Sequence, residues 1–162
     1  YFLLTLHRPS NVDKKNQLEK IILFLEKIAR QFKTFFYFPI HPRTNANLNK
    51  FKIILKNSYF KPLRPVGYFE MLALEKNAQA IFTDSGGLQE EACILKVPCI
   101  TLRNSTERPE TLEVKSNILI YRFDKKDEEK IKKIIKKRKN WRNPFGDGKS
   151  SKKILKILTS SN

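Results

Sequence analysis

Cysteine is scarce in this chain of 162 residues: there are two, Cys93 and Cys99, six positions apart and with no second Cys or His pair beside them. That spacing suits neither a disulfide framework nor a zinc site, so both read as reduced core residues of a cytoplasmic protein. Long hydrophobic runs are missing as well. The longest, Thr34 to Ile40 and Ile118 to Tyr121, fall far short of the roughly 20 residues a bilayer span requires, and no membrane insertion is expected. There is no internal repeat, no low-complexity linker and no composition break that would mark a domain boundary. The opening Tyr1-Phe2-Leu3-Leu4 has neither a Met nor a basic leader and reads as a segment entered at a strand. Acidic residues are few, 16 Asp plus Glu against 33 Lys plus Arg, for a net charge of +17.

Such an excess normally raises nucleic-acid or anionic-membrane binding first. Its distribution argues otherwise. Between Lys125 and Lys156 lie fourteen basic and four acidic residues, leaving nineteen against twelve in the rest of the chain. From Asp127 to Lys139 the residues Ile131, Ile134 and Ile135 recur at helical spacing, which makes the lysines the solvated face of an amphipathic helix. No aromatic residues interleave with them as a stacking platform for bases would need.

What is present is apolar and aromatic in a repeating order. Hydrophobic residues are 40% of the chain and Phe alone contributes 12, enough to build a core. Leu18, Ile21, Ile22, Leu25, Ile28, Ala29 and Phe32 step at three and four, predicting a helix from Asp13 to Phe32 capped by Asn11 or Asp13. The short runs Phe2 to Leu6 and Thr34 to Ile40 flank it and suit strands buried on both faces. The pattern predicts further helices at Gly67 to Lys76 and Gly87 to Leu95, with strands at Gln79 to Thr83, Pro98 to Leu102 and Asn117 to Phe123. A last short helix follows at Lys149 to Leu158. This alternation specifies an α/β fold: a doubly wound parallel sheet forming a single domain over residues 1–162.

In such sheets ligands bind beyond the carboxyl ends of the strands. The residues following the predicted strands are polar: His7-Arg8-Pro9-Ser10-Asn11, His41-Pro42-Arg43, Asp84-Ser85-Gly86-Gly87 and Arg103-Asn104-Ser105-Thr106-Glu107-Arg108. Both histidines of the chain belong to this set, and the edge suits an anionic ligand. Ser85-Gly86-Gly87 opening a helix can cradle a phosphate through free amides at the positive helix end. The spacings of the nucleotide-triphosphate loop and of the dinucleotide fingerprint are absent, which points away from kinases and dehydrogenases. Glu90 or Glu91, one turn on, can accept hydrogen bonds from a ribose diol; Arg103 and Arg108 can pair with a diphosphate. His7 joins proton transfer to the neighbouring charge of Arg8. Tyr68 offers a ring for a base.

Four segments, Leu4 to Asp13, Phe82 to Ala92, Arg103 to Glu110 and Asn143 to Gly148, occur in the order found in UDP-N-acetylglucosamine 2-epimerases. The chain resembles the carboxyl-terminal half of that family along essentially its whole length. The resemblance implies the second, Rossmann-like domain of a GT-B-type two-domain enzyme, in which this domain holds most of the UDP. Ser85 and the amides of Gly86 and Gly87 would hold the diphosphate, with Arg8, Arg108 and the catalytic His7 close by. Glu91 would take the ribose hydroxyls, and Tyr68 would pack on the uracil. The implied reaction interconverts UDP-GlcNAc and UDP-ManNAc by eliminating UDP and adding it back, in cytoplasmic supply of an amino sugar for polysaccharide, with no cofactor and no metal. Full-length members are commonly homodimers. Ser10 stands where many relatives have glutamate, and the general acid and base carboxylates of the family lie in the amino-terminal domain. Two other readings remain open: a hydrolysing relative releasing ManNAc and UDP, and a UDP-binding half-domain without turnover.

Overall fold

In the computed structural model, residues 1–136 and 139–160 are described. Six parallel strands form one sheet in the order β3-β2-β1-β4-β5-β6. They are β1 (Phe2–Thr5), β2 (Phe36–Pro39), β3 (Phe60–Leu63), β4 (Ala80–Thr83), β5 (Cys99–Thr101) and β6 (Asn117–Leu119). The helices are α1 (Pro9–Val12), α2 (Lys15–Gln31), α3 (Pro42–Phe51), α4 (Tyr68–Asn77), α5 (Gly86–Ile94), α6 (Pro109–Glu113), α7 (Lys125–Lys136) and α8 (Ser150–Thr159). The doubly wound expectation holds. Lys137 and Arg138, within the expected helix Asp127 to Lys139, lie outside the described residues. No helix of the described residues is long and apolar enough to cross a membrane.

The central strands read as unbroken apolar runs because helices cover both faces. Phe2, Leu4, Phe36, Phe38 and Phe82 point to one side, where α2 delivers Leu18, Ile21, Ile22, Leu25 and Ile28. Leu3, Ile81 and Cys99 point to the other and meet Ala92, Val97 and, from α4, Met71 and Leu74. Successive residues of β1 thus feed opposite cores, as the period of a strand requires. The Phe82 ring packs edge-on to Phe36 at 5.0 Å between centroids and tilted to Phe2 at 5.2 Å. Each such side chain contributes about 1.5–3 kcal/mol by leaving water.

Several elements depart from the sequence expectation. The helix predicted from Asp13 begins at Lys15 and carries no side-chain cap. Asn11 and Asp13 have other partners: Asn11 donates to Asp84 and to the carbonyl of Leu102, and Asp13 accepts from Arg43. A separate turn, α1, intervenes because Pro9 suits the first helical position. The helix α3 and strand β3 are additions. Only Thr44 and Leu48 of α3 are buried, and β3 contains Pro62, tolerated because β3 is an edge strand. The last predicted strand shortens to Asn117–Leu119.

Two contacts fasten the carboxyl-terminal third. Glu128 of α7 accepts from Lys27 at 2.5 Å and Gln31 at 2.7 Å on α2. The buried Trp141 donates its indole N–H to the Cys93 carbonyl at the end of α5, 2.9 Å away. Ile131 and Ile134 of α7 are buried and its lysines face solvent, as the spacing predicts.

Candidate functional site

The neighbours β1 and β4 flank the point where the order of connection reverses, the usual place for a crevice in an open α/β sheet. Their carboxyl ends are tied by side chains. Thr5 and Thr83 hydroxyls meet at 2.6 Å, and the fully buried Asp84 carboxylate accepts the backbone N–H groups of His7 and Arg8 at 2.9–3.1 Å. Asn11 adds a third donor at 3.0 Å. Three kinds of N–H on one carboxylate replace its water and make it a clamp, holding the turn after β1 against the start of α5. Arg8 closes the arrangement by donating its Nε–H to the Asp84 carbonyl at 3.1 Å.

Ser85 stands at the N-cap of α5 in extended backbone, yet its hydroxyl makes no capping bond. There is no acidic residue in the first turn. The amides of Gly86 and Gly87 therefore open α5 in a field that favours an anion. A Cβ at Gly86 would meet the carboxylate of Glu107, the end of a flexible side chain that would have to move, whereas Gly87 faces open space.

Glu107 occupies this position as an internal anion. Its two oxygens accept from Arg8 at 2.7 Å and Arg103 at 2.5 Å. Partial desolvation pushes its carboxyl up, but its backbone hydrogen bond and the Arg103 and Arg8 guanidinium groups outweigh this and hold it below the usual range. Arg108 ion-pairs with Glu90 and caps α6, placing its guanidinium beside α5.

His7 lies on the other flank. Its Nε2 is 3.6 Å from Asp84 Oδ1, and its ring stacks obliquely on His41 at 5.6 Å. His41 is turned to its own chain, accepting the Arg43 N–H at 3.2 Å. Both histidines border a mainly apolar cleft of about 210 Å³ that reaches Ser85 and is walled by Pro65, Val66, Met71 and Leu88. On the far side of Arg8 a polar cavity of about 320 Å³ is lined by Ser10, Asn11, Arg103, Asn104 and Tyr121.

The structure brings His7, Arg8, Ser85, Gly86, Gly87 and Arg108 to one edge. Tyr68 is 62% exposed, packs on Phe69, and stands outside both cavities; Met71, one turn along α4, reaches the apolar cleft instead. Glu91 is half-buried, with its carboxyl against Glu75 of α4. Sequence reasoning placed Asp84 and Glu107 at the polar edge without giving either a role, and passed over Met71, which nothing local marks. Among the described residues no group of three or more His, Cys, Asp or Glu side chains could hold a metal ion.

The model of the family described as UDP-N-acetylglucosamine 2-epimerase matches residues 1–159. A UDP-N-acetylglucosamine 2-epimerase of Methanocaldococcus jannaschii is 52% identical over 162 residues, covering 98% of this chain and 44% of that protein. One from Methanococcus maripaludis is also 52% identical, over 161 residues. The crystal structure of the M. jannaschii enzyme in complex with UDP-GlcNAc and UDP superimposes with a TM-score of 0.90 at 50% identity, covering 99% of this chain and 45% of that one. The chain thus spans less than half the length of the relatives it matches. The strand order agrees with these similarities, and the chain belongs to the UDP-N-acetylglucosamine 2-epimerase family, as its GT-B carboxyl-terminal domain.

Proposed function

We propose that this domain binds the UDP of a nucleotide sugar, and that the full-length protein interconverts UDP-GlcNAc and UDP-ManNAc by UDP elimination and re-addition. The observation that carries this reading is the Asp84 clamp, which fixes His7 and Arg8 beside the free amide end of α5. The diphosphate sits over Gly86 and Gly87 with Ser85, and Arg8 and Arg108 supply positive charge. The base enters the apolar cleft, and Glu91 takes the ribose hydroxyls. Met71 faces that cleft, so Tyr68 is the weaker candidate for packing on the uracil.

In the proposed reaction the proton on C2 of the sugar leaves to a base on the other domain. The C1–O bond breaks with its electron pair passing to the diphosphate oxygen. That oxygen gains negative charge as the bond breaks, so donors already aimed at it favour the transition state over the bound substrate. His7 is placed to donate to the departing diphosphate. Re-addition to the glycal and protonation of C2 from the opposite face complete the exchange. The acid and base carboxylates belong to the amino-terminal domain, and the working protein is a cytoplasmic homodimer serving polysaccharide synthesis.

Calorimetric titration of UDP, with GDP as control, at about 0.15 M salt tests the binding claim where loose electrostatic attraction is screened. Saturable binding that prefers UDP is expected; equal binding of both nucleotides would remove the assignment. Product analysis on the full-length protein should show UDP-ManNAc from UDP-GlcNAc, and free ManNAc would instead identify hydrolysis.

A further inference from the structure

Glu75, on the inner side of α4, is fully buried, and neither carboxylate oxygen meets an N–H donor among the described residues. A carboxylate without water or a partner is strongly disfavoured as an anion. Across the contact between α4 and α5 lies Glu91, whose carboxyl is within hydrogen-bonding reach. Two carboxyls this close in a dry setting share a proton, and the deeper one keeps it. Burial first, and the charge of Glu91 second, push the Glu75 carboxyl up to about 8.

Among the described residues no cation forms an ion pair with either carboxyl. Glu75 faces Cys99 of β5, whose own thiol burial pushes up to about 12, and Cys93 of α5 lies beside that thiol. The Tyr1 hydroxyl, raised above its ordinary value by burial, is committed to the Leu74 carbonyl at 2.8 Å. The adjacent Glu90 is taken by Arg108.

We propose that Glu75 is a positioning residue for the nucleotide site: as a carboxylic acid it donates a hydrogen bond to Glu91, holding Glu91 as the anion that accepts the ribose hydroxyls. The proposal rests on the reading of Glu91 as the ribose acceptor. The O–H of Glu75 engages one Glu91 oxygen and fixes its side chain, leaving the other oxygen for the diol. Once Glu75 ionises, two negative charges face each other and Glu91 swings away, so the acceptor is lost.

The test is UDP affinity in the full-length protein between about pH 6.5 and about pH 9.5, beside 2′,3′-dideoxy-UDP, which shares the uracil and phosphate ionisations and lacks the hydroxyls. Wild type should lose affinity for UDP above a pH of about 8, by up to about tenfold per pH unit, and dideoxy-UDP should bind more weakly without that break. Glu75→Gln keeps a donor that cannot ionise, so it should retain the neutral-pH affinity and lose the break. Glu75→Met should bind UDP several-fold more weakly near neutrality. A second readout is independent of binding: an infrared band of a protonated carboxyl, present near neutral pH, lost above about 8 and missing in Glu75→Gln. Persistence of the break in Glu75→Gln, wild-type behaviour of Glu75→Met, or no such band overturns the role of Glu75. Equal affinity for UDP and dideoxy-UDP would overturn the Glu91 reading itself.

Discussion

Asp84 is the residue on which the site turns, because its buried carboxylate accepts N–H groups of His7, Arg8 and Asn11, all from the segment after β1, more than seventy residues away in the chain. Asp84→Asn places an N–H₂ among donors, and the mismatch should cost about 1.5–3 kcal/mol of stability in denaturant unfolding, with weaker UDP binding. On the proposed binding mode, Ser85→Ala and Glu91→Ala remove groups that contact the ligand and should each weaken UDP binding by about 1–3 kcal/mol in calorimetry. Unchanged affinity in both variants would refute the site. His7→Ala should lower kcat of the full-length protein by about 10²-fold while leaving Tm nearly unmoved; a large fall in Tm would make His7 structural. Glu107 holds Arg8 and Arg103 and lies over Gly86, so on the proposed binding mode it competes with the diphosphate. Glu107→Gln should therefore tighten UDP binding several-fold, and a weaker titration curve would show that Glu107 orients the arginines instead. At this scale the candidate list was legible where residue type alone signals chemistry, as in His7, Ser85 and Arg108. Met71 was not, because a methionine becomes a wall of the cleft only through the turn of α4 on which it sits.

Elements hold the site through their docking, and α7 shows the electrostatic part of it. Glu128 is nearly buried, and desolvation, which pushes its carboxyl up, is outweighed by Lys27 and Gln31, so the carboxyl stays below its usual range. A depressed carboxyl binds protons less readily folded than unfolded. Its stabilisation is present above the ordinary glutamate range and is lost as pH falls through the folded value. Glu128→Gln should lower stability near neutrality by about 1–2 kcal/mol, Lys27 being largely solvated, and the difference should vanish in acid. Denaturant unfolding of both proteins across that range checks the sign. The periodicity of α2 and α7 was plain in the sequence, since α2 buries a stripe rich in leucine and isoleucine and α7 buries one of isoleucine. The helix α3 and strand β3 were hidden for the converse reason: an Asn-rich helix burying two residues and an edge strand broken by Pro62 carry little pattern of their own. The N-cap expectation for α2 failed because the Asn11 side chain serves the clamp.

For the whole molecule, UDP saturating the site at about 100 times its Kd should raise stability by about 2.7 kcal/mol, read as an increase in Tm that GDP does not reproduce at the same concentration. The +17 charge resides largely in the lysines of the carboxyl-terminal third, away from the clamp. A UDP affinity that falls steeply with added salt would indicate diffuse attraction rather than the site.

The alternation of apolar runs by itself determined a parallel sheet covered on both faces, because a strand without polar positions has no side to give to water. The polar segments after each run likewise marked one edge of the sheet as polar. Only the tertiary structure decided which strands are neighbours, and therefore that the turns after β1 and β4 meet at Asp84. It alone set Met71 in the cleft and pressed Glu75 against Glu91. Strand order and helix rotation arise from contacts between residues far apart in the chain, and such contacts leave no local periodicity to read.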